Sequence, residues 1–216
     1  MIPLIASPVG IKAVVFDVYG TLAEIGDRRR PYAKLLQLLA DAGRVPQEND
    51  AARLMSTPCG LAGAVQLFDA ELSVSKLAPL EMDLLAELAS VTLYPDTAET
   101  LAALKIAGLK IGLCSNLAAP YAIPVLKQLP VALDAYVWSF EIGALKPDPA
   151  TYRAVGHRLS CAPHEILFIG DTLEADYLGP RTIGMQSLHL TRQGATQNGK
   201  SISTLAQLPE ILKLLT

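Results

Sequence analysis

From residue 94 onward, short apolar runs alternate with helical patterns, and this rhythm admits few folds. Tyr94-Pro95-Asp96 leads into a helix, with Asp96 as N-cap and Glu99 at capping-box spacing. Leu101, Leu104 and Ile106 are apolar along it, and Gly108 ends it. Residues 109–114 read as a buried strand, 119–129 as a helix and 135–139 as a strand. Asp148 as N-cap and Pro149 at the first position then start another helix. Strands at 166–169 and 186–190 flank a helix at 174–182, and a loop at 194–201 precedes a terminal helix at 205–215. A further apolar run, Ala13–Phe16, opens the chain after an irregular lead-in. Strands and helices alternating in this way predict an α/β fold, a Rossmann-like doubly wound parallel sheet.

The strand ends carry the chemistry. Successive runs stop on Asp17, on Ser115 and Asn116, and on Asp171, and a loop supplies Lys146. In a parallel sheet these ends share one edge, where ligands bind. Taken alone, Asp17 is equally a strand-terminating turn residue, Lys146 a solvated loop lysine and Asp176 a helix-surface carboxylate. Together, carboxylates, hydroxyl, amide and ammonium read as a site for a small anionic substrate. Asp17, Asp171 and Asp176 near one point would repel one another, and a hard cation such as Mg²⁺ would relieve that repulsion.

Residues 23–91 have a different texture. A charged stretch holds Arg28, Arg29 and Arg30, and Pro31 then opens a helical pattern running to Gly43. Further helices are expected near 48–55, 61–71 and 79–89, with no strand between Leu22 and Ser90. One βα crossover needs one helix, so 23–91 reads as an inserted helical cap, and 1–22 with 92–216 as the core.

Composition narrows the partners. At 51% hydrophobic and 18% charged, the 216-residue chain can bury a sizeable core. A net charge of −3 argues against nucleic acid or an anionic membrane as partner. Met1 to Gly10 holds two prolines and no basic region, which makes it a poor signal peptide. Three scattered cysteines form no disulfide or zinc pattern, so a cytoplasmic setting is expected. The leucine-rich helices allow a monomer or a homodimer.

These motifs resemble the haloacid dehalogenase superfamily of hydrolases. Asp17-Val18-Tyr19-Gly20-Thr21 resembles its first motif, Ser115-Asn116 its second, and Lys146 before Pro147-Asp148-Pro149 its third. Gly170-Asp171-Thr172-Leu173-Glu174-Ala175-Asp176 resembles the fourth, and the insert after the first motif resembles the C1 cap of subfamily I. The tail of the fourth motif is similar to a subgroup that includes REG-2-like proteins. The resemblance implies a nucleophilic Asp17 and a covalent intermediate hydrolysed by water. It implies that Thr21, Ser115 and Asn116 hold the transferred group and that Lys146 balances its charge. It also implies Mg²⁺ held by Asp17, the Tyr19 carbonyl, Asp171 and Asp176.

One position departs from the phosphatase pattern. Where a second aspartate would protonate the leaving group, this chain has Tyr19. Such a group is typically worth about 10²–10⁴-fold, and a phenol of pKa about 10 replaces it poorly. Tyrosine here resembles the L-2-haloacid dehalogenases, whose leaving halide needs no proton. Asp171 and Asp176 resemble the metal-binding phosphatases instead. A Mg²⁺-dependent phosphohydrolase is the leading expectation, with a 2-haloacid dehalogenase and a weakly active phosphate-binding protein as alternatives.

Overall fold

The computed structural model describes residues 10–192 and 201–213. Residues 1–9 of the expected lead-in, 194–200 of the expected loop and 214–215 of the expected terminal helix lie outside them. Within them that helix is only a 3-10 turn, Leu205–Gln207, and a short helix, Leu208–Ile211.

Six parallel strands form the main sheet, in the order β5 (Ala135–Trp138), β4 (Lys110–Ser115), β1 (Ala13–Phe16), β6 (Ile166–Gly170), β7 (Gln186–Leu190) and β8 (Ser201–Ile202). β1 lies between β4 and β6, with Phe16 beside Leu113 on one side and Ile169 on the other. The strand order reverses at β1, which is where open α/β sheets place ligands.

Both faces of the sheet are covered, which is why β1 is apolar at every position. Val14 and Phe16 pack with Leu101 and Leu104 of one helix and Val125 of another. Ala13 and Val15 pack on the opposite face with Tyr152, Val155 and Leu159. The doubly wound α/β expectation is therefore met. The strand β8 was not expected, because two residues leave no readable period.

The insert differs from its reading in two places. Ala23–Ile25 is a strand, β2, pairing antiparallel with β3 (Val91–Leu93). Three residues with a glutamate at the centre carry too little pattern to be read as a strand. Helices α1 (Pro31–Asp41), α2 (Asp50–Met55), α3 (Leu61–Leu67) and α4 (Val74–Ala89) follow between the two strands. α4 starts before Pro79, which sits exposed inside it, so the carbonyl it leaves unpaired can face water. The four helices share their own apolar cluster, which includes Leu35, Leu39, Leu54, Leu61 and Leu84.

Asp96 also behaves differently. Its side chain makes no cap bond to its own helix, α5 (Thr97–Ile106). The carboxylate instead accepts from Arg192 at 3.1 and 2.9 Å, the Leu205 amide at 2.8 Å and the Thr204 hydroxyl. An N-terminal helix end is thereby tied to the last strand. Asp148 caps its helix as expected, accepting from the Ala150 amide at 2.8 Å.

Within the insert, Asp50 accepts 2.6 and 2.7 Å bonds from Arg44 and a 2.9 Å bond from the Gln47 amide. Arg44 pulls its carboxyl down to about 2. A carboxylate depressed on folding stabilises above its unfolded pKa of about 3.9, and that contribution fades as pH falls through the folded value. Asp50→Asn is expected to cost about 1.5–3 kcal/mol at pH 7, or roughly 3–10 °C in Tm. Thermal melts at pH 7 and near pH 2 check it: the gap between variant and parent should close at the lower pH.

Candidate active site

The carboxyl ends of β1, β4 and β6 bring the expected residues together. Asp17 follows β1, and its amide donates to Ile169 O at 2.9 Å, continuing the ladder. Ser115 closes β4, and its hydroxyl donates to Asp17 Oδ1 at 2.9 Å. Lys146 Nζ donates to Asp17 Oδ1 at 2.7 Å and to Asp176 Oδ1 at 2.6 Å. Both neighbours bind the same oxygen of Asp17, which leaves Oδ2 with no hydrogen-bond partner among the described residues.

Asn116 serves the lysine. Its amide donates to Lys146 O, and its Oδ1 accepts from Lys146 N, both at 2.8 Å. This pair of bonds clamps the loop and aims the ammonium. Asp176 is buried behind it, its Oδ2 accepting from the Thr172 amide at 3.0 Å. The segment carrying it, Leu173–Leu178, winds as a π-helix where sequence periodicity suggests an ordinary helix from 174. Such a wide turn is a common feature of functional sites.

Two glycines permit this convergence. Gly20 has φ +87°, and a Cβ on it would stand 2.2 Å from Asp171 Oδ2. A Cβ on Gly170 would stand 2.3 Å from Asp176 Cγ.

The charge balance is unusual for a cluster in which Asp17 and Asp176 are buried and Asp171 opens to the cleft. Carboxylate oxygens of Asp17, Asp171 and Asp176 all lie within 4.8 Å of one another. Lys146 offsets only one of these charges. Burial pushes the Asp17 carboxyl up, with Lys146 opposing and Asp176 reinforcing the shift. Partial desolvation and then the neighbouring Asp17 push the more exposed Asp171 up as well. Burial alone would lower the Lys146 ammonium, but Asp17 and Asp176 outweigh it and hold it above its ordinary value. Three oxygen donors with surplus negative charge fit a hard divalent cation.

Not every expected residue faces the cleft. A cavity of about 500 Å³ is lined by Asp17, Ser115, Asn116, Lys146 and Asp171, with Arg28 on its wall. Thr21 is fully buried and does not line it, and its hydroxyl has no partner among the described residues. Tyr19 lines the cleft, but its hydroxyl donates to Tyr121 O at 2.7 Å. Burial pushes that phenol further above its ordinary value.

Sequence reasoning missed Glu87. It is buried, accepts from Tyr121 OH at 2.6 Å, and accepts from the Arg29 and Arg30 amides at 3.1 and 3.3 Å. It thus ties the insert to the wall of the site. The signal was present: Glu87 falls on the buried stripe of Leu80 and Leu84, where a lone acid needs a partner.

The model of the haloacid dehalogenase-like hydrolases matches residues 11–184, most of the chain. The chain belongs to that family. The hydrolase has a curated relative in the phosphoglycolate phosphatase of Escherichia coli (strain K12), 33% identical over 101 residues. That match spans 46% of this chain and 40% of the relative. An L-2-haloacid dehalogenase from Xanthobacter autotrophicus, solved with chloropropionic acid covalently bound, shares the fold at TM-score 0.62 and 23% identity. The likeness covers 95% of this chain and 100% of that one. A haloacid dehalogenase family enzyme from Bacteroides thetaiotaomicron, in complex with magnesium and inorganic phosphate, shares it at TM-score 0.61 and 18% identity, over 87% and 98% of the two chains. Among the described residues no helix is long and apolar enough to cross a membrane.

Proposed function

We propose that the hydrolase is a Mg²⁺-dependent phosphohydrolase acting on a small phosphorylated metabolite. The carrying observation is the gathering of Asp17, Asp171 and Asp176 around a single lysine. A cluster so negative repels a phosphate unless a cation joins it. Asp17, Asp171 and the Tyr19 carbonyl would hold Mg²⁺, with Asp176 supporting them. When bound, the ion supplies positive charge at the transferring phosphoryl group.

The protein's own groups do the rest. Asp17 Oδ2 attacks phosphorus while Ser115 and Lys146 hold Oδ1 and so fix the angle of attack. The bond to the leaving oxygen breaks and its electron pair departs with that oxygen. Water then hydrolyses the aspartyl phosphate, restoring the carboxylate. Lys146 keeps its proton throughout and balances charge. Tyr19 takes no part in proton transfer, because its proton is committed to a carbonyl. The favoured leaving groups are those that depart unprotonated. Residues 23–91 act as a cap on this cleft, joined to the 1–22 and 92–216 core through β2 and β3. The three free cysteines suit a cytoplasmic setting.

A 2-haloacid dehalogenase is the second reading. Tyr19 favours it, as does Arg28, which lines the cleft and has no ion-pair partner among the described residues. Hydrolysis of p-nitrophenyl phosphate with Mg²⁺ and with EDTA separates the two. Phosphate release that needs Mg²⁺ is expected. Chloride release from 2-chloropropionate in EDTA, without phosphatase activity, would replace the first reading with the second.

A further inference from the structure

A second cavity, of about 350 Å³, lies between the helical insert and the core. It shares Tyr19, Arg28 and Asn116 with the catalytic cleft, so the two chambers meet along one wall. Its volume is in the range of small-ligand sites. Tyr32, Leu36, Leu54, Met55, Leu117 and Tyr121 give it a predominantly apolar lining.

The polar tips of its three tyrosines are already used. Tyr19 OH donates to Tyr121 O, Tyr121 OH to Glu87, and Tyr32 OH to Cys59 O. The chamber therefore offers ring faces and aliphatic carbon, with few free hydrogen-bond partners. A hydroxyl-rich leaving group entering it would lose water bonds and regain few. An apolar one would gain by burial.

Resting on the phosphohydrolase reading, we propose that the substrate is an aryl phosphate whose ring occupies this chamber. Two independent features select the same leaving group. The chamber demands an apolar body. The absent acid demands an oxygen that leaves as an anion. A phenol, with pKa about 10, meets that demand far better than an alcohol, whose alkoxide approaches the basicity of hydroxide, with bulk water at about 15.7. Small acyl phosphates meet the second demand but leave the chamber empty.

The step balances without a proton donor. The Asp17 oxygen–phosphorus bond forms, the phosphorus–aryl oxygen bond breaks, and the electron pair goes to the aryloxide. Arg28 lines both chambers and has no ion-pair partner among the described residues, so it can offset that charge. The aryloxide takes a proton from water as it leaves.

The test compares kcat/KM for 2-naphthyl phosphate and hexafluoroisopropyl phosphate, whose leaving alcohol is about as acidic as a naphthol but carries no ring, with Mg²⁺, in the parent and in Ala33→Trp. Ala33 is an exposed α1 residue on the chamber wall, so a large side chain there fills the space without disturbing the insert's core. The parent is expected to favour the naphthyl ester by at least about tenfold, and Ala33→Trp to erase most of that ratio. A parent ratio near one, or an equal loss on both substrates, overturns the aryl assignment and leaves the phosphohydrolase standing. No turnover above Asp17→Asn would sink the phosphohydrolase instead. Calorimetry with phenylphosphonate and methylphosphonate then decides the chamber. Tighter phenylphosphonate binding that Ala33→Trp removes supports it, and equal affinities overturn it.

Discussion

Asp17→Asn is expected to lower phosphate release by roughly 10⁴-fold or more. The substitution is nearly isosteric. An amide oxygen can still accept from Ser115 and Lys146, so both bonds to Oδ1 can persist. What disappears is the nucleophilic oxygen, the unbonded Oδ2 of the parent. A change in shape therefore cannot account for the loss. Stability should move the other way or hardly at all. Asp17 lies within a few ångströms of Asp171 and Asp176, and its burial disfavours its charge. Lys146 keeps Asp176 as a 2.6 Å partner in the variant, so no buried ammonium is stranded. Active sites commonly hold such destabilising arrangements for function. Phosphate release and a thermal melt on the same preparation check both halves. Activity within tenfold of the parent, at an unchanged melting temperature, would remove Asp17 from the nucleophile role.

The site was legible in the sequence where local pattern and topology coincide. Ala13–Phe16 and Ile166–Gly170 are apolar because each strand is covered on both faces, and such runs stand out. Their polar ends then converge because a parallel sheet puts all carboxyl ends on one edge. Asp17, Ser115, Lys146 and Asp171 could be brought together on that basis without knowing any contact. What stayed hidden depends on partners distant in sequence. Asp96 has the spacing of an N-cap, yet Arg192, 96 residues away, takes its carboxylate. Arg28 stands in the basic run 28–30, a candidate by position for a substrate carboxylate yet more simply a solvated stretch, and only the packing of the insert places it against both cavities. Asn116 reads as a substrate ligand by motif, while both polar ends of its amide bond the Lys146 backbone. β2 and β8 are too short to carry a period, and neighbouring strands define them.

Tyr19→Asp is expected to raise hydrolysis of alkyl phosphates by about 10²–10⁴-fold, the usual worth of a positioned general acid. In the parent, Tyr19 gives the leaving oxygen nothing: its hydroxyl is bonded to Tyr121 O, and burial keeps it protonated. A carboxyl at position 19 is too short to keep that bond. It would stand two residues from Asp17 on the wall of the cleft, where a leaving alkoxide needs a proton. Aryl substrates should respond differently. Their leaving oxygen gains little from an acid, and the substitution removes an aromatic wall shared by the two chambers. It also removes the edge-on contact with Tyr121, whose ring centroid is 6.0 Å away, at a cost of about 0.5–1.5 kcal/mol beyond area burial. The clearest readout is a plot of log kcat/KM against leaving-group pKa for a series from nitrophenyl to alkyl esters. The parent line should be steep, because no proton compensates for a basic leaving oxygen, and the variant line should flatten. Parallel lines would mean that position 19 does not reach the leaving group. The tyrosine would then act on the cap side of the cleft, as a spacer between Asp17 and the insert.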